Sequence, residues 1–394
     1  MSSQVAPRIF FYVQHLLGIG HQMRAAAITR AMCRQGLDVT YVSGGFEETK
    51  FDLGGATIVQ LPPARTADAT FSTLLGEDGN AVDDAWEAAR CRALLEAFEQ
   101  TRPDALLIES FPFGRRRFRF ELMPLLKRVR GQLPVAASVR DILVSKNDPK
   151  RTRWIVETVN AFFDTVIVHG DSRLVTLDVT FPGAGAIGDR IRYSGYVASD
   201  FNSDTSGKRT EVVVSAGGGA VGGPLLRTSL AARPLSCLSS ANWRLITGPN
   251  LPESDRNALK SAQGVKISTY VENFNEILRS AAVSVSQAGY NTVMDLMTSR
   301  TKSVLVPFSQ HGETEQSLRA SLLARRGLFQ ILPEQDLTPE ALAKAIDAAH
   351  LGPAPHPSGI DIDGAAMTAR IMSDLVTGRP ISGRIKFNHV SDCA

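Results

Sequence analysis

S-V-S-Q-A-G-Y-N-T-V-M-D-L-M at residues 284–297, continued by S-V-L-V-P-F-S-Q-H-G-E-T-E-Q at 303–316, decides how this chain is read. Val283 and Val285 belong to a short apolar run that ends in a turn at Ala288 and Gly289, the pattern of a buried strand. Asn291 and Thr292 then open a helix that carries Asp295 one turn in. Free amides at a helix start suit a pyrophosphate, and a carboxylate one turn on suits a ribose diol. A second apolar strand at 303–306 leads through Pro307-Phe308 into a polar loop with His311, closed by Glu315 and Gln316. That pair offers acceptors and a donor to neighbouring hydroxyls. Binders for diphosphate, ribose and hexose in chain order predict a nucleotide-sugar site, with an ordinary βαβ unit as the plain alternative.

The same pattern begins earlier in this half. E-V-V-V-S-A-G-G-G at 211–219 is a buried strand running into Gly217, Gly218 and Gly219, and a helix follows. Only small residues let consecutive amides converge on a phosphate. A strand at 265–271 ends at Tyr270 and Val271, followed by another helix.

The N-terminal half opens in kind. R-I-F-F-Y-V-Q at 8–14 reads as a buried strand, H-L-L-G-I-G-H-Q-M-R at 15–24 as a glycine loop, and an Ala-rich helix and D-V-T-Y-V-S follow. This opens a doubly wound α/β domain. The loop is neither a dinucleotide fingerprint nor a phosphate-binding Lys-Ser/Thr loop. Gly18 and Gly20 let a ligand approach the backbone, and His21 at the helix start can act as a general base or, more plainly, cap the helix. Arg24 follows one turn on. Glu109 and Asp141 each fall at the carboxyl end of a strand, where either could orient His21, bind an acceptor, or simply start a helix. F-P-F-G-R-R-R-F-R-F at 111–120 sets four arginines among aromatics. Arg115 and Arg116 could meet a phosphate-bearing or lipid-linked acceptor or an anionic membrane, RNA stacking is a further option, and a solvated helix start with core-facing aromatics is the plain reading.

Length and composition bound these readings. The 394 residues suit two cores, and 43% hydrophobic with 21% charged residues describes an ordinary globular protein. A net charge of +3 does not by itself imply nucleic acid, and none is expected as a partner. Four cysteines lack metal or disulfide spacing, so a reducing cytoplasm is the default. No signal-like stretch and no long apolar run is read. A cytoplasmic setting follows, with peripheral contact at the inner face of a membrane as an option. The expected domains are 1–198, a polar linker at 199–209, 210–365, and a C-terminal helix and tail at 366–394.

The motif at 286–295 resembles the donor signature of family 28 glycosyltransferases, the group that includes the lipid II-forming N-acetylglucosaminyltransferases. Their Ser-x-x-Gly-x-x-Thr-x-x-Glu turn and helix precedes a buried strand, Pro-Phe and a Gln pair; here the acid is Asp295 and the pair is Glu315-Gln316. The 18–24 loop is similar to their N-terminal Gly-Gly-His loop. It is closer still to the Gly-x-Gly-His-x-x-Arg loop of nucleotide-sugar hydrolases of the same fold. The resemblance implies a GT-B architecture, two doubly wound Rossmann-like domains facing a central crevice. It implies a UDP-sugar donor, Tyr270 and Val271 near the uracil, and an inverting transfer to an acceptor hydroxyl. No cofactor is implied, and no metal, since no Asp-x-Asp is read anywhere in the chain. The alternatives are hydrolysis of a nucleotide sugar with water activated by His21, and an RNA- or membrane-binding module at 115–119.

Overall fold

Strand β1 (Arg8–Val13) carries R-I-F-F-Y-V with every residue after the first fully buried. Ile9, Phe11 and Val13 join one apolar cluster, while Phe10 and Tyr12 join another. Alternate side chains of a strand point to opposite faces, so a strand apolar at every position needs cover on both. The computed structural model supplies that cover. It describes residues 6–16, 20–46, 51–66, 73–144, 148–198, 208–217, 221–259, 262–271, 273–310, 314–356 and 359–383.

In chain order β1 leads to α1 (Gly20–Arg34), β2 (Asp38–Ser43), β3 (Thr57–Gln60) and the short β4 (Arg65–Thr66) and β5 (Leu74–Leu75). Then come α2 (Asp84–Thr101), β6 (Ala105–Glu109), α3 (Arg119–Val129), β7 (Val135–Arg140), α4 (Pro149–Phe162), β8 (Thr165–His169) and β9 (Ile191–Tyr193). A second series follows with β10 (Glu211–Ser215), α5 (Gly223–Ala232), β11 (Trp243–Ile246), α6 (Glu253–Ala258), β12 (Val265–Ser268) and α7 (Phe274–Ser280). It continues with β13 (Ala281–Ser286), α8 (Tyr290–Ser299), β14 (Ser303–Leu305), α9 (Glu315–Arg325), β15 (Gln330–Ile331) and α10 (Pro339–Leu351). Helix α11 (Gly364–Thr377) is the last element among the described residues.

The chain divides into two compact units, residues 1–197 with 361–394, and residues 198–360. Unit 1 holds a seven-stranded sheet in the order β3-β2-β1-β6-β7-β8-β9, with every pairing parallel. Unit 2 holds a six-stranded sheet, β12-β11-β10-β13-β14-β15, likewise parallel throughout. Strand order reverses between β1 and β6 in the first and between β10 and β13 in the second. Ligands of such sheets sit beyond the strand carboxyl ends at these reversals.

The domain boundaries differ from the expected ones at the C-terminus. The sequence set the last helix apart as a tail, but Ala369, Ile371 and Met372 of α11 pack with Ala25, Ile28 and Met32 of α1 in unit 1. The Tyr196 amide donates to Asp361 O at 2.7 Å, and Gly364 N to Tyr196 O at 2.9 Å. Most of the expected linker lies outside the described residues.

One buried polar knot fixes the carboxyl side of the first sheet. Arg90 of α2 is fully buried, and its Nε donates to Glu121 Oε2 of α3 at 2.9 Å. Its Nη1 donates to Gly44 O at 2.9 Å and also to Pro62 O, and its Nη2 reaches Gln14 Oε1 at 2.5 Å and the Tyr12 hydroxyl at 3.5 Å. The Tyr12 hydroxyl donates to Glu121 Oε1 at 2.5 Å. Removing one member of a buried ion pair strands the other charge, at a cost of about 3–5 kcal/mol. Arg90→Met is expected to lower unfolding stability by that amount in urea, and Arg90→Met with Glu121→Leu to regain most of it. A single variant as stable as the parent would show that the knot contributes nothing.

Candidate active site

The reversal in unit 1 places the loop after β1 beside the end of β6. The β6 terminus is Glu109, 1% exposed, followed by Ser110 in the left-handed region at φ +65°. Glu109 Oε1 accepts three hydrogen bonds: from His21 Nδ1 at 2.7 Å, Arg24 Nη2 at 2.6 Å and Ser110 Oγ at 2.8 Å. Its Oε2 is buried without a hydrogen-bond partner. Helix α1 delivers His21 and Arg24 from its first two turns, on one face three residues apart.

Burial drives the electrostatics here. It pulls the His21 imidazole down to about 4 against the opposing pull of Glu109, with Arg115 and Arg24 adding to the lowering. Burial pushes Glu109 up, but His21, Arg24 and Arg115 overcome it and hold the carboxyl well below its ordinary range. Glu109 is therefore an anion beside a neutral imidazole. Nδ1 carries the proton and donates to it, which leaves the Nε2 lone pair as the basic site.

The other N-terminal candidates divide. Arg115 joins the site, with its Nε donating to Gln14 O at 2.6 Å. Its guanidinium is lowered by burial first, then by Arg140 and Arg24, while Glu109 raises it. Arg116 is exposed and lies 5.3 Å over the Trp154 ring. Phe111, Phe113 and Phe118 are buried, as the plain reading of the aromatic run held. Asp141 is 1% exposed and accepts from the Tyr196 hydroxyl at 3.1 Å, so the carboxylate that orients His21 is Glu109. Gly20 opens α1, and Gly18 lies outside the described residues. Sequence reading passed over His15, Gln14 and Arg140. Two histidines flanking one glycine loop were the available signal for His15.

In unit 2 the reversal brings the ends of β10 and β13 together. Gly217, at φ +70°, turns the chain after β10 in a conformation that disfavours a side chain. Gly218 and Gly219 lie outside the described residues, as does His311. Ala288 and Gly289 form the turn before α8, whose first turn carries Asn291 and Thr292. Asp295 is 6% exposed and its Oδ1 accepts from Asn275 Nδ2 at 3.0 Å, which ties α7 to α8. Tyr270 is 57% exposed just beyond β12, with Val271 half-buried beside it. Glu315 and Gln316 turn inward. Gln316 Oε1 accepts from Ala288 N at 3.0 Å and Phe308 N at 3.1 Å, clipping the two loops together. Glu315 is 5% exposed and pairs with fully buried Arg319 at 2.8 Å, and Arg319 Nη1 donates to Ala288 O at 3.2 Å. Arg319 was another residue that the sequence reading missed.

Residues 213–356 match the glycosyltransferase family 28 C-terminal domain. Unit 2 is a family 28 glycosyltransferase domain. An uncharacterized glycosyltransferase of Methanopyrus kandleri is 29% identical over 164 residues, 42% of this chain and 45% of that protein. The match therefore spans under half the length of that relative. The UDP-N-acetylglucosamine--N-acetylmuramyl-(pentapeptide) pyrophosphoryl-undecaprenol N-acetylglucosamine transferase of Haemophilus influenzae is 22% identical over 329 residues, 82% of this chain and 85% of that enzyme. The solved structure of CalG4, the calicheamicin glycosyltransferase, superposes with a TM-score of 0.60 at 15% identity and covers 95% of both chains. The whole chain thus has the GT-B fold.

The family 28 domain contains no Asp-x-Asp, but unit 1 does. Asp361-Ile362-Asp363, which the sequence reading passed over, forms a turn before α11 in which Asp361 Oδ1 accepts from Asp363 N at 3.1 Å.

Unit 1 holds three histidines that burial keeps neutral. His15 and His21 fall to about 4 and His169 to about 3, in each case with burial as the largest cause. Unfolded histidine binds its proton near 6.5. Between those values the unfolded chain holds more protons, so stability is complete above about 6.5 and declines as pH falls through the folded values. Urea unfolding at pH 5 is expected to give at least about 1 kcal/mol less stability than at pH 7.5. A flat profile over that range would contradict the assignment.

Proposed function

We propose that the chain is a glycosyltransferase that moves a hexose or N-acetylhexosamine from a UDP-sugar to an acceptor hydroxyl, with inversion and without a metal. The observation that carries this reading is the neutral His21, held at Nδ1 by anionic Glu109, in a chain whose other unit is a family 28 domain. His21 Nε2 takes the proton of the acceptor hydroxyl as its oxygen attacks the anomeric carbon from the face opposite the nucleotide. The bond from that carbon to the diphosphate oxygen breaks, its electron pair leaves with UDP, and the proton stays on His21. Glu109 stabilises the imidazolium so formed. In unit 2 the amides that open α8 and the turn at Gly217 would take up charge on departing UDP, with Asp295 at the ribose. Gln316 and Glu315 would act by holding those loops in shape, leaving the Gln316 amide nitrogen for the sugar.

Arg24 and Arg115 lie within electrostatic reach of Glu109, and cationic side chains at this strand end suit an anionic acceptor. The Haemophilus influenzae relative is named for a pyrophosphoryl-undecaprenol acceptor and for UDP-N-acetylglucosamine. A lipid-linked acceptor at a membrane surface and that donor are the first candidates here too. Among the described residues no helix is long and apolar enough to cross a membrane.

UDP release from a panel of UDP-sugars without added acceptor tests the reading. Slow release from one preferred donor is expected. Rapid stoichiometric release of free sugar would instead identify a nucleotide-sugar hydrolase, and absence of both UDP binding and turnover would refute both. His21→Ala is expected to lower transfer by about 10²–10⁴-fold while UDP binds as in the parent.

A further inference from the structure

His15 lies just past the end of β1, six residues before His21, and the mechanism above does not use it. It is 4% exposed, and neither ring nitrogen has a hydrogen-bond partner. The Phe46 carbonyl pulls its proton affinity up without reaching hydrogen-bond geometry. A buried donor left unpaired costs about 1–3 kcal/mol, and a folded chain has cheaper residues for filling space.

The surroundings hold the ring where it is. A Cβ on Gly45 would stand 2.2 Å from His15 Cε1, so the ring occupies space that any other residue at 45 would fill. Behind it, Gln14 Nε2 donates to the His15 carbonyl at 2.6 Å while Arg90 Nη2 grips Gln14 Oε1 at 2.5 Å. The backbone at His15 is thus anchored to the buried knot. Strand β1 pairs with β6 in the register Tyr12↔Ile108, so His15 and Glu109 stand at the same carboxyl end of adjacent strands, and His15 feels the charges of Arg115 and Glu109. Glu109 Oε2, at that end, is likewise buried and unpartnered.

We infer that His15 and Glu109 Oε2 together form a subsite for a hydroxyl next to the one that reacts, so that the acceptor is a sugar or polyol with hydroxyls on adjacent carbons. A hydroxyl both donates and accepts, so one hydroxyl can give its proton to Glu109 Oε2 and accept the N–H of His15. A bare monohydric alcohol would satisfy His21 and leave both groups unpaired. Burial keeps His15 neutral, drawn down to about 4, so it meets a neutral group. This subsite deepens the transferase reading and rests on it for its purpose, but its occupancy can be measured without turnover.

The test is the melting temperature of the full chain with and without methyl α-D-glucopyranoside, for the parent, His15→Leu and His15→Gln. A ligand that binds only the folded state raises the melting temperature. The glucoside is expected to raise it in the parent, to have no effect on His15→Leu, and to regain at least half the parent's shift with His15→Gln. Without ligand, His15→Leu is expected to melt at or above the parent, since an unpaired polar group has been removed. Equal shifts in all three proteins, or none in the parent, would overturn the subsite. So would a ligand-free His15→Leu that melts well below the parent, which would make the ring structural. If a UDP-sugar turns over, the glucoside serves as acceptor, and His15→Leu should raise its KM at least tenfold with kcat within threefold; an unchanged KM again overturns the subsite. Failure of the parent to bind UDP would refute the transferase reading while leaving the melting result to decide the subsite.

Discussion

The guanidinium of Arg90 is wholly buried, so each of its N–H groups must find an acceptor inside unit 1. It finds them on Glu121, on the Gly44 and Pro62 carbonyls, and on Gln14 and Tyr12. Those acceptors come from α3 and from the carboxyl ends of the first three strands, of which the end of β1 leads into the site. The knot therefore sets where the loops leave the sheet. Gln14 passes that constraint to both sides, to the His15 backbone through its amide nitrogen and to Arg115 through its carbonyl. Desolvation makes an incomplete network of this kind expensive, which narrows the arrangements open to the site.

Unit 2 solves the same problem with fewer charges. Arg319 is fully buried, pairs with Glu315 four residues earlier on α9, and reaches the Ala288 carbonyl, while Gln316 clips Ala288 to Phe308. Both units thus place a buried cation behind a strand-end loop. In unit 1 it acts through a side-chain relay, and in unit 2 directly on the turn that precedes α8.

The fold was largely legible because parallel strands buried on both faces write themselves as apolar runs, as in I-F-F-Y-V and E-V-V-V-S. Helix starts and glycine turns then fixed the element order. The pairing of His21 with Glu109 was one of two options that strand ends alone allowed, and Asp141 was the other; nothing local separates them, because the choice depends on strand order. Arg90 was invisible for a related reason. It sits in an amphipathic helix rich in charge, and only non-local partners distinguish it from its solvated neighbours. The inward turn of Glu315 and Gln316 depends on Arg319, whose burial no pattern on α9 announces. The place of α11 in unit 1 was lost because an apolar stripe says that a helix packs, without saying on what.

That last feature bears on how the polypeptide is made. Residues 361–377 complete the face of unit 1 against which α1 packs, yet they are separated from the rest of it by all of unit 2. A ribosome delivers the chain from its N-terminus, and domains commonly fold in that order. Here the first unit to emerge must wait, with the apolar side of α1 uncovered, while the second is synthesised and free to fold. Biogenesis of this protein is therefore inverted: the later unit is the first that can be finished, and the earlier one closes only once residues 361–377 have been made.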